Sequence, residues 1–338
     1  MCRHVCPIGN ATGLERNTAR ARAFGVSLVA RGATELSELS DNIYECSLCG
    51  ACTNNCVTGF DPKVFVREVK REIVLEGLAP AYITDLLMKH AESGNIYGAE
   101  VPGELGALAC ESADTVLFAG LDAWAKTPEC VLSAMKLLSS SGRKVGLVTG
   151  DSGFALHFLT GETDESREAA LACSKTLMAY KTVVVYDPCD LALMKHEWRE
   201  WGIGTPECIS FNEYLLSLVR SGALKVKKGN TEYMLQDSFA YARELDDCKS
   251  GRELIDSVGT VRDMLLIGKE ANLAGHLVMA EYMPAVIEAV AKMRWRDAGN
   301  MGGENIVTEC PQEYAALKAT CPEGCRVLSV EEMLLENM

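Results

Sequence analysis

Residues 46–56 read C-S-L-C-G-A-C-T-N-N-C, and residues 1–7 read M-C-R-H-V-C-P. The longer run is C-x2-C-x2-C-x3-C. Three thiolates at i, i+3 and i+6 can wrap one corner of a [4Fe–4S] cube if the backbone curls around it, and a fourth must come from elsewhere. In two-cluster ferredoxins the fourth Cys of each run ligates the other cluster, and a Pro typically follows it. Cys6 is followed by Pro7. On this spacing Cys6, Cys46, Cys49 and Cys52 furnish one complete site. Cys2 and Cys56 belong to a second site that lacks two thiolates, since the partners expected ahead of Cys2 would fall before Met1. The chemistry implied is one-electron transfer rather than a reaction at a bound substrate. His4, between cluster ligands, is placed to tune a potential through hydrogen bonding or charge.

Two other uses of clustered cysteine compete with this reading. Structural zinc sites pair two C-x2-4-C knuckles across a longer gap, and four cysteines this close, plus a separate C-P, fit that pattern poorly. Disulfide frameworks belong to short secreted chains, whereas this chain has 338 residues and shows no secretory signal. Fifteen cysteines then point to a reducing, cytoplasmic compartment and an anaerobic way of life. The nine outside the two motifs read as small buried hydrophobes.

The elements that must position these thiols follow from the pattern around them. At 338 residues with 48% hydrophobic content, the chain has material for two or three domains. No apolar run approaches the ~20 residues that span a bilayer; peripheral membrane association remains compatible with this. A net charge of −14 argues against nucleic acid as a partner and suits docking onto basic patches of redox proteins. Residues 1–85 read as helical: Leu14 to Ala33, Glu35 to Tyr44, and a helix opened by Asp61 as N-cap with Pro62 in its first turn. Its apolar stripe is Val64, Val66, Val69, Ile73 and Val74, and Gly77 ends it. Residues 86–112 read as a linker.

From residue 113 short apolar strands alternate with helices, the signature of parallel sheets with helical crossovers and an α/β fold class. The expected strands are Thr115–Ala119, Lys144–Val148, Thr182–Tyr186 and Glu207–Ser210, then Glu232–Leu235, Arg262–Ile267, Asn305–Val307 and Arg326–Ser329. The two halves, 113–228 and 229–338, repeat each other. Each ends in a strand followed by a capping box, Ser210 with Glu213 and Ser329 with Glu332. VVVYDPCD at 183–190 aligns with NIVTECPQE at 305–313.

A helical ferredoxin followed by two repeated α/β units resembles a family of iron–sulfur subunits. Its members are related to the iron–sulfur subunits of anaerobic glycerol-3-phosphate dehydrogenase and glycolate oxidase, and to heterodisulfide reductase. The likeness covers essentially the whole chain and is most specific in CRHVCP, CSLCGACTNNC, DPKVFVREVKREIVLEG and the linker stretch Gly94-Asn95-Ile96-Tyr97-Gly98. Each repeat of that family carries a lone Cys, a Cys-Cys-Gly and a Cys-x-x-Cys, which in heterodisulfide reductase hold non-cubane clusters. At the corresponding places this chain has Leu121, Asp151-Ser152-Gly153 and Asp187-Pro188-Cys189-Asp190, then Phe239, Leu273-Ala274-Gly275 and Cys310-Pro311-Gln312-Glu313. Of ten signature cysteines one, Cys310, remains. The resemblance therefore implies degenerate CCG-type domains that act as scaffold.

Weaker features complete the reading. Asp151, Asp187 and Asp190 could share a strand-end cleft, either as loop caps or around a hard cation. Cys310, Cys321 and Cys325 are candidates for a metal site near the C-terminus, with turn and buried strand entry as the plainer account of the C-x3-C pair. His157 and His276 follow Gly153 and Gly275 closely. No G-x-G-x-x-G after a strand, P-loop or nucleophile elbow is present, so the chain is not expected to bind a nucleotide of its own. The expectation is a non-catalytic electron-transfer subunit of a flavin-dependent oxidoreductase complex, relaying electrons through one [4Fe–4S] cluster with a second site incomplete. Its expected partners are a flavoprotein dehydrogenase or an electron-transferring flavoprotein. The rival readings are a heterodisulfide-reductase-like catalytic subunit, and a structural subunit with a decayed second cluster.

Overall fold

The computed structural model describes residues 2–109 and 113–338. The last residues of the expected linker, 110–112, lie outside the described residues. Helices occupy the N-terminal region: Pro7–Thr12, Ala19–Ala30, Leu36–Tyr44, Ala51–Asn54, Pro62–Leu75 and Ala81–Ser93. Asp61 caps the fifth as its sequence requires, accepting from the Lys63 N–H at 2.9 Å, with Pro62 in the first turn. The buried face of that helix is Pro62, Val66, Lys70 and Ile73, while Val64 is exposed. A lysine thus occupies a place in the apolar stripe.

Among the described residues eight strands follow, in two four-stranded parallel sheets. The first holds β1 (Thr115–Ala119), β2 (Val145–Thr149), β3 (Thr182–Val185) and β4 (Glu207–Ser210), in the order β2-β1-β3-β4. The second holds β5 (Glu232–Gln236), β6 (Thr260–Val261), β7 (Asn305–Thr308) and β8 (Arg326–Ser329), in the order β6-β5-β7-β8. The same strand order recurs twice, all parallel, so the fold class is α/β and the repeat seen in the sequence is a structural repeat. Both capping boxes form, each with its Ser accepting from the N3 amide and its Glu reaching back.

One strand departs from expectation. Arg262–Ile267 is an apolar run with strand composition, yet only Thr260–Val261 pairs with β5. The buried Arg294 guanidinium takes the carbonyls of Leu265 (2.6 Å) and Leu266 (3.1 Å), and Leu266 adopts φ 60°. Those carbonyls are spent on a cation rather than on a ladder.

Each sheet is apolar on both faces, as parallel sheets require. Along β1, Leu117 and Ala119 face a large central core while Val116 and Phe118 face a separate outer one with Trp198 and Leu177. Along β5, Tyr233 and Leu235 join the central core while Met234 joins an outer core with Trp295 and Ile306. The central core also takes in Ile8, Ile43, Tyr44 and Val66, so the helical region and both sheets share one interior. The terminal helix of each repeat packs on the other: Val330–Glu336 on Pro128–Ser140, and Phe211–Arg220 on Ser250–Val258.

Candidate metal centre

The cysteine run is turned by two left-handed residues, Leu48 at φ 52° and Gly50 at φ 74°. Left-handed backbone is costly for Leu and natural for Gly. Placed between Cys46 and Cys52, the two residues curl the chain so that successive thiols face one space. The fourth thiol arrives from the N-terminal helix, where Cys6 is the N-cap and its Sγ accepts from the Gly9 N–H at 3.4 Å. Cys6, Cys46, Cys49 and Cys52 line a single pocket with Pro7, Ile8 and Leu48. Cys2 and Cys56 do not line it; Cys56 Sγ lies 3.2 Å from Thr58 Oγ1.

Burial dominates the electrostatics of this pocket. Burial pushes the Cys6 thiol up to about 11, and burial followed by the charges of Cys49, Cys46 and Cys6 pushes Cys52 up as well. Crowded buried thiols resist becoming thiolates unless a metal shares their charge, and iron does so. The pocket wall also carries Arg22, which is 1% exposed. Its Nε donates to the Asn42 carbonyl and its Nη1 to the Asn17 carbonyl, both at 2.8 Å, and its Nη2 has no partner among the described residues. An orphaned buried guanidinium N–H is rare and fits an anionic group nearby. Four thiolates around a [4Fe–4S] core make such a group, so the donor set and the walls both fit it.

The cysteine loop is held against the second repeat. Arg243 Nη1 donates to the Cys49 carbonyl at 2.8 Å, and Lys63 pairs with Glu244 at 2.6 Å. Tyr282 donates to the Tyr44 carbonyl at 2.9 Å and stacks on Tyr82. Arg67 pairs with Glu197 of the first repeat at 2.6 Å. A second, aromatic cavity shares the Ser47–Leu48 wall and is lined by Phe154, Phe158 and Phe239 with His157 and His276. Burial holds both histidines neutral, pushed down to about 3. His157 Nδ1 faces the Gly161 carbonyl at 3.0 Å, which makes that nitrogen the donor.

Residues 1–60 match the family model of 4Fe-4S dicluster domains. The N-terminal region is therefore a [4Fe–4S] electron-transfer type of domain. No curated protein matches the chain. Among solved structures, an aspartate racemase homologue from Pyrococcus horikoshii OT3 is 14% identical, with a TM-score of 0.31, over 66% of this chain and 95% of that one. A likeness that low carries no argument.

The weaker sequence candidates resolve differently. Asp187 and Asp190 are buried near Asp122, and Asp151, whose charge also acts on Asp190, caps its own loop by accepting from the Gly153 N–H at 2.8 Å. Cys310 joins Asp187 and Cys189, with candidate ligand atoms within 4.8 Å of one another, while Cys321 instead donates to the Cys325 carbonyl at 3.3 Å. His4 is exposed. Reading the sequence missed Arg22, Lys70 and Arg243. Lys70 was legible as a charge in register with Val66 and Ile73. Arg22 and Arg243 carry no such signal, because their partners are backbone carbonyls remote in the chain.

Proposed function

We propose that the chain is an electron-relay subunit in which Cys6, Cys46, Cys49 and Cys52 hold a [4Fe–4S] cluster. The observation that carries this reading is the convergence of those four cysteines on one pocket that Arg22 also lines, its Nη2 unpartnered among the described residues. When bound, the cluster supplies reversible one-electron chemistry. The chain's own residues do the rest. Leu48 and Gly50 shape the loop, Arg243 fixes the Cys49 carbonyl, and Pro7, Ile8 and Leu48 exclude water.

Cys2 and Cys56 are the candidates for a second cluster, which these two thiols leave incomplete. The parts of the proposed architecture are residues 1–85 as the ferredoxin-like domain, 86–112 as linker, and 113–228 and 229–338 as two degenerate CCG-type domains. These domains are of the kind found in heterodisulfide reductase and in the iron–sulfur subunit of anaerobic glycerol-3-phosphate dehydrogenase. A flavoprotein dehydrogenase or electron-transferring flavoprotein would perform the two-electron chemistry, with the α/β repeats as the docking scaffold. Catalysis of the heterodisulfide type is disfavoured, since Cys310 is the lone thiol among the signature positions. Cys46→Ala tests the relay. It should abolish electron transfer to an artificial acceptor such as methyl viologen, and intact transfer would refute the assignment.

A further inference from the structure

Lys70 lies on the buried face of helix Pro62–Leu75, with no measurable exposure. Among the described residues no carboxylate pairs with it. Its Nζ donates to the Phe158 carbonyl at 2.7 Å and lies 3.8 Å from the Phe158 ring centroid and 5.3 Å from that of Tyr44. Those contacts occupy one of its three N–H groups and offset its charge in part. An ammonium buried without an anion is among the costliest groups a protein can hold.

The neighbouring charges point to the missing anion. Arg22 and Arg67 act against the ammonium, and Cys46 is the neighbour whose charge favours it. The helix carrying Lys70 packs on Leu36–Tyr44, which delivers the chain to Cys46. Burial pushes the amine down to about 7, with Cys46 offsetting it only in part.

We propose that Lys70 is the buried counter-charge of the [4Fe–4S] centre and raises its reduction potential. This rests on the assignment of Cys6, Cys46, Cys49 and Cys52 as ligands. Reduction of such a centre takes up one electron, makes and breaks no bond, and leaves it one unit more negative. A fixed positive charge nearby favours that state over the oxidised one. Lys70 acts through its field and is a positioning residue.

The test uses full-length, anaerobically purified wild type, Lys70→Met, Lys70→Gln and Lys70→Arg, with iron counted first and the potential then read by EPR during a dithionite titration. The two neutral variants should keep their iron and lose about tenfold in the reduced-to-oxidised ratio at fixed potential, about 59 mV for a one-electron couple. Lys70→Arg should stay at the wild-type value. An unchanged midpoint in iron-replete Lys70→Met overturns the proposal and leaves the ligand assignment standing. Iron loss from all three variants alike overturns it too, because packing would then be the role. Iron loss from the neutral variants but not from Lys70→Arg supports it. Wild-type protein without iron removes the ligand assignment itself.

Discussion

Cys310 Sγ lies 3.7 Å from Asp187 Oδ1, and the two residues hold the same place in the two repeats. Each is the N-cap of a helix opened by Pro, Pro188–Lys195 and Pro311–Ala319, directly after the third strand of its sheet. The repeats therefore meet at the equivalent ends of their third strands. Here a buried hydrogen-bond network joins them. Gln312 donates to Asp122 and to Asp187, Tyr97 donates to Asp122 at 2.5 Å, and Cys189 N–H donates to Asp187 at 2.8 Å. Burial, reinforced by the neighbouring charge of Asp187, pushes Asp122 up to about 7, against the lowering effect of the hydrogen bonds from Tyr97 and Gln312.

Thiols of the two groups should respond oppositely to removal. Cys6→Ala takes one ligand from the four-cysteine pocket and should lower bound iron severalfold. Cys310→Ser keeps a donor toward Asp187 and should leave iron at the wild-type level. Iron and acid-labile sulfide per chain, measured on both variants in parallel, check this. Equal iron in the two variants would contradict it.

Glu331 makes stability depend on pH. It is 2% exposed, accepts from the Tyr186 hydroxyl at 2.6 Å across the two repeats, and burial pushes it up to about 7 from 4.5. A carboxyl raised in this way is protonated in the folded state before it is in the unfolded one. Its contribution is full below about pH 4.5 and is lost as pH rises through about 7. Glu331→Gln keeps the acceptor and cannot ionise. Relative to wild type the variant should gain of order 3 kcal/mol between pH 4.5 and pH 8, read from urea midpoints. A constant difference across that range would contradict the assignment.

Gly120 closes the loop between β1 and the helix Leu121–Lys126, and the Asp190 carboxylate is packed directly on its Cα. A Cβ there would overlap Asp190 Oδ2, which has no hydrogen-bond partner among the described residues. Gly120→Ala should cost about 1–3 kcal/mol through overpacking. Chemical denaturation of the variant checks it, and Gly142→Ser, at a site with open space around it, shows the smaller cost of strained backbone alone.

Arg243 links the second repeat to the cysteine loop, donating to the carbonyls of Cys49 and Lys269, both at 2.8 Å, and to that of Ala271. Arg243→Met leaves those carbonyls without their donor. Iron release to a ferrous chelator should quicken severalfold while the iron content at purification is kept. An unchanged release rate would show that the loop holds its shape unaided.

Much of the fold is legible in the residues. Short apolar runs alternating with helices and repeated capping boxes mark both sheets, and Asp61-Pro62 marks a helix start, because those signals are local. Arg262–Ile267 misleads because its strand-like composition competes with Arg294, a partner far away in sequence. The apolar stripe read along helix Pro62–Leu75 includes Val64, which the fold leaves exposed. The true face carries Lys70, and a charge in such a register is the sign of a buried group with a task. C-x2-C-x2-C-x3-C names the ligand candidates. It cannot reveal Arg22, whose role depends on which of its N–H groups the fold leaves unpaired.

The most direct measurement is iron and acid-labile sulfide per chain on anaerobically purified protein, with EPR of the dithionite-reduced form. The account predicts about four irons and four sulfides with a single cubane signal, or about eight with spin-coupled signals where a second cluster is completed by ligands from beyond this sequence. Zinc in place of iron, or stoichiometric iron without sulfide, would contradict it.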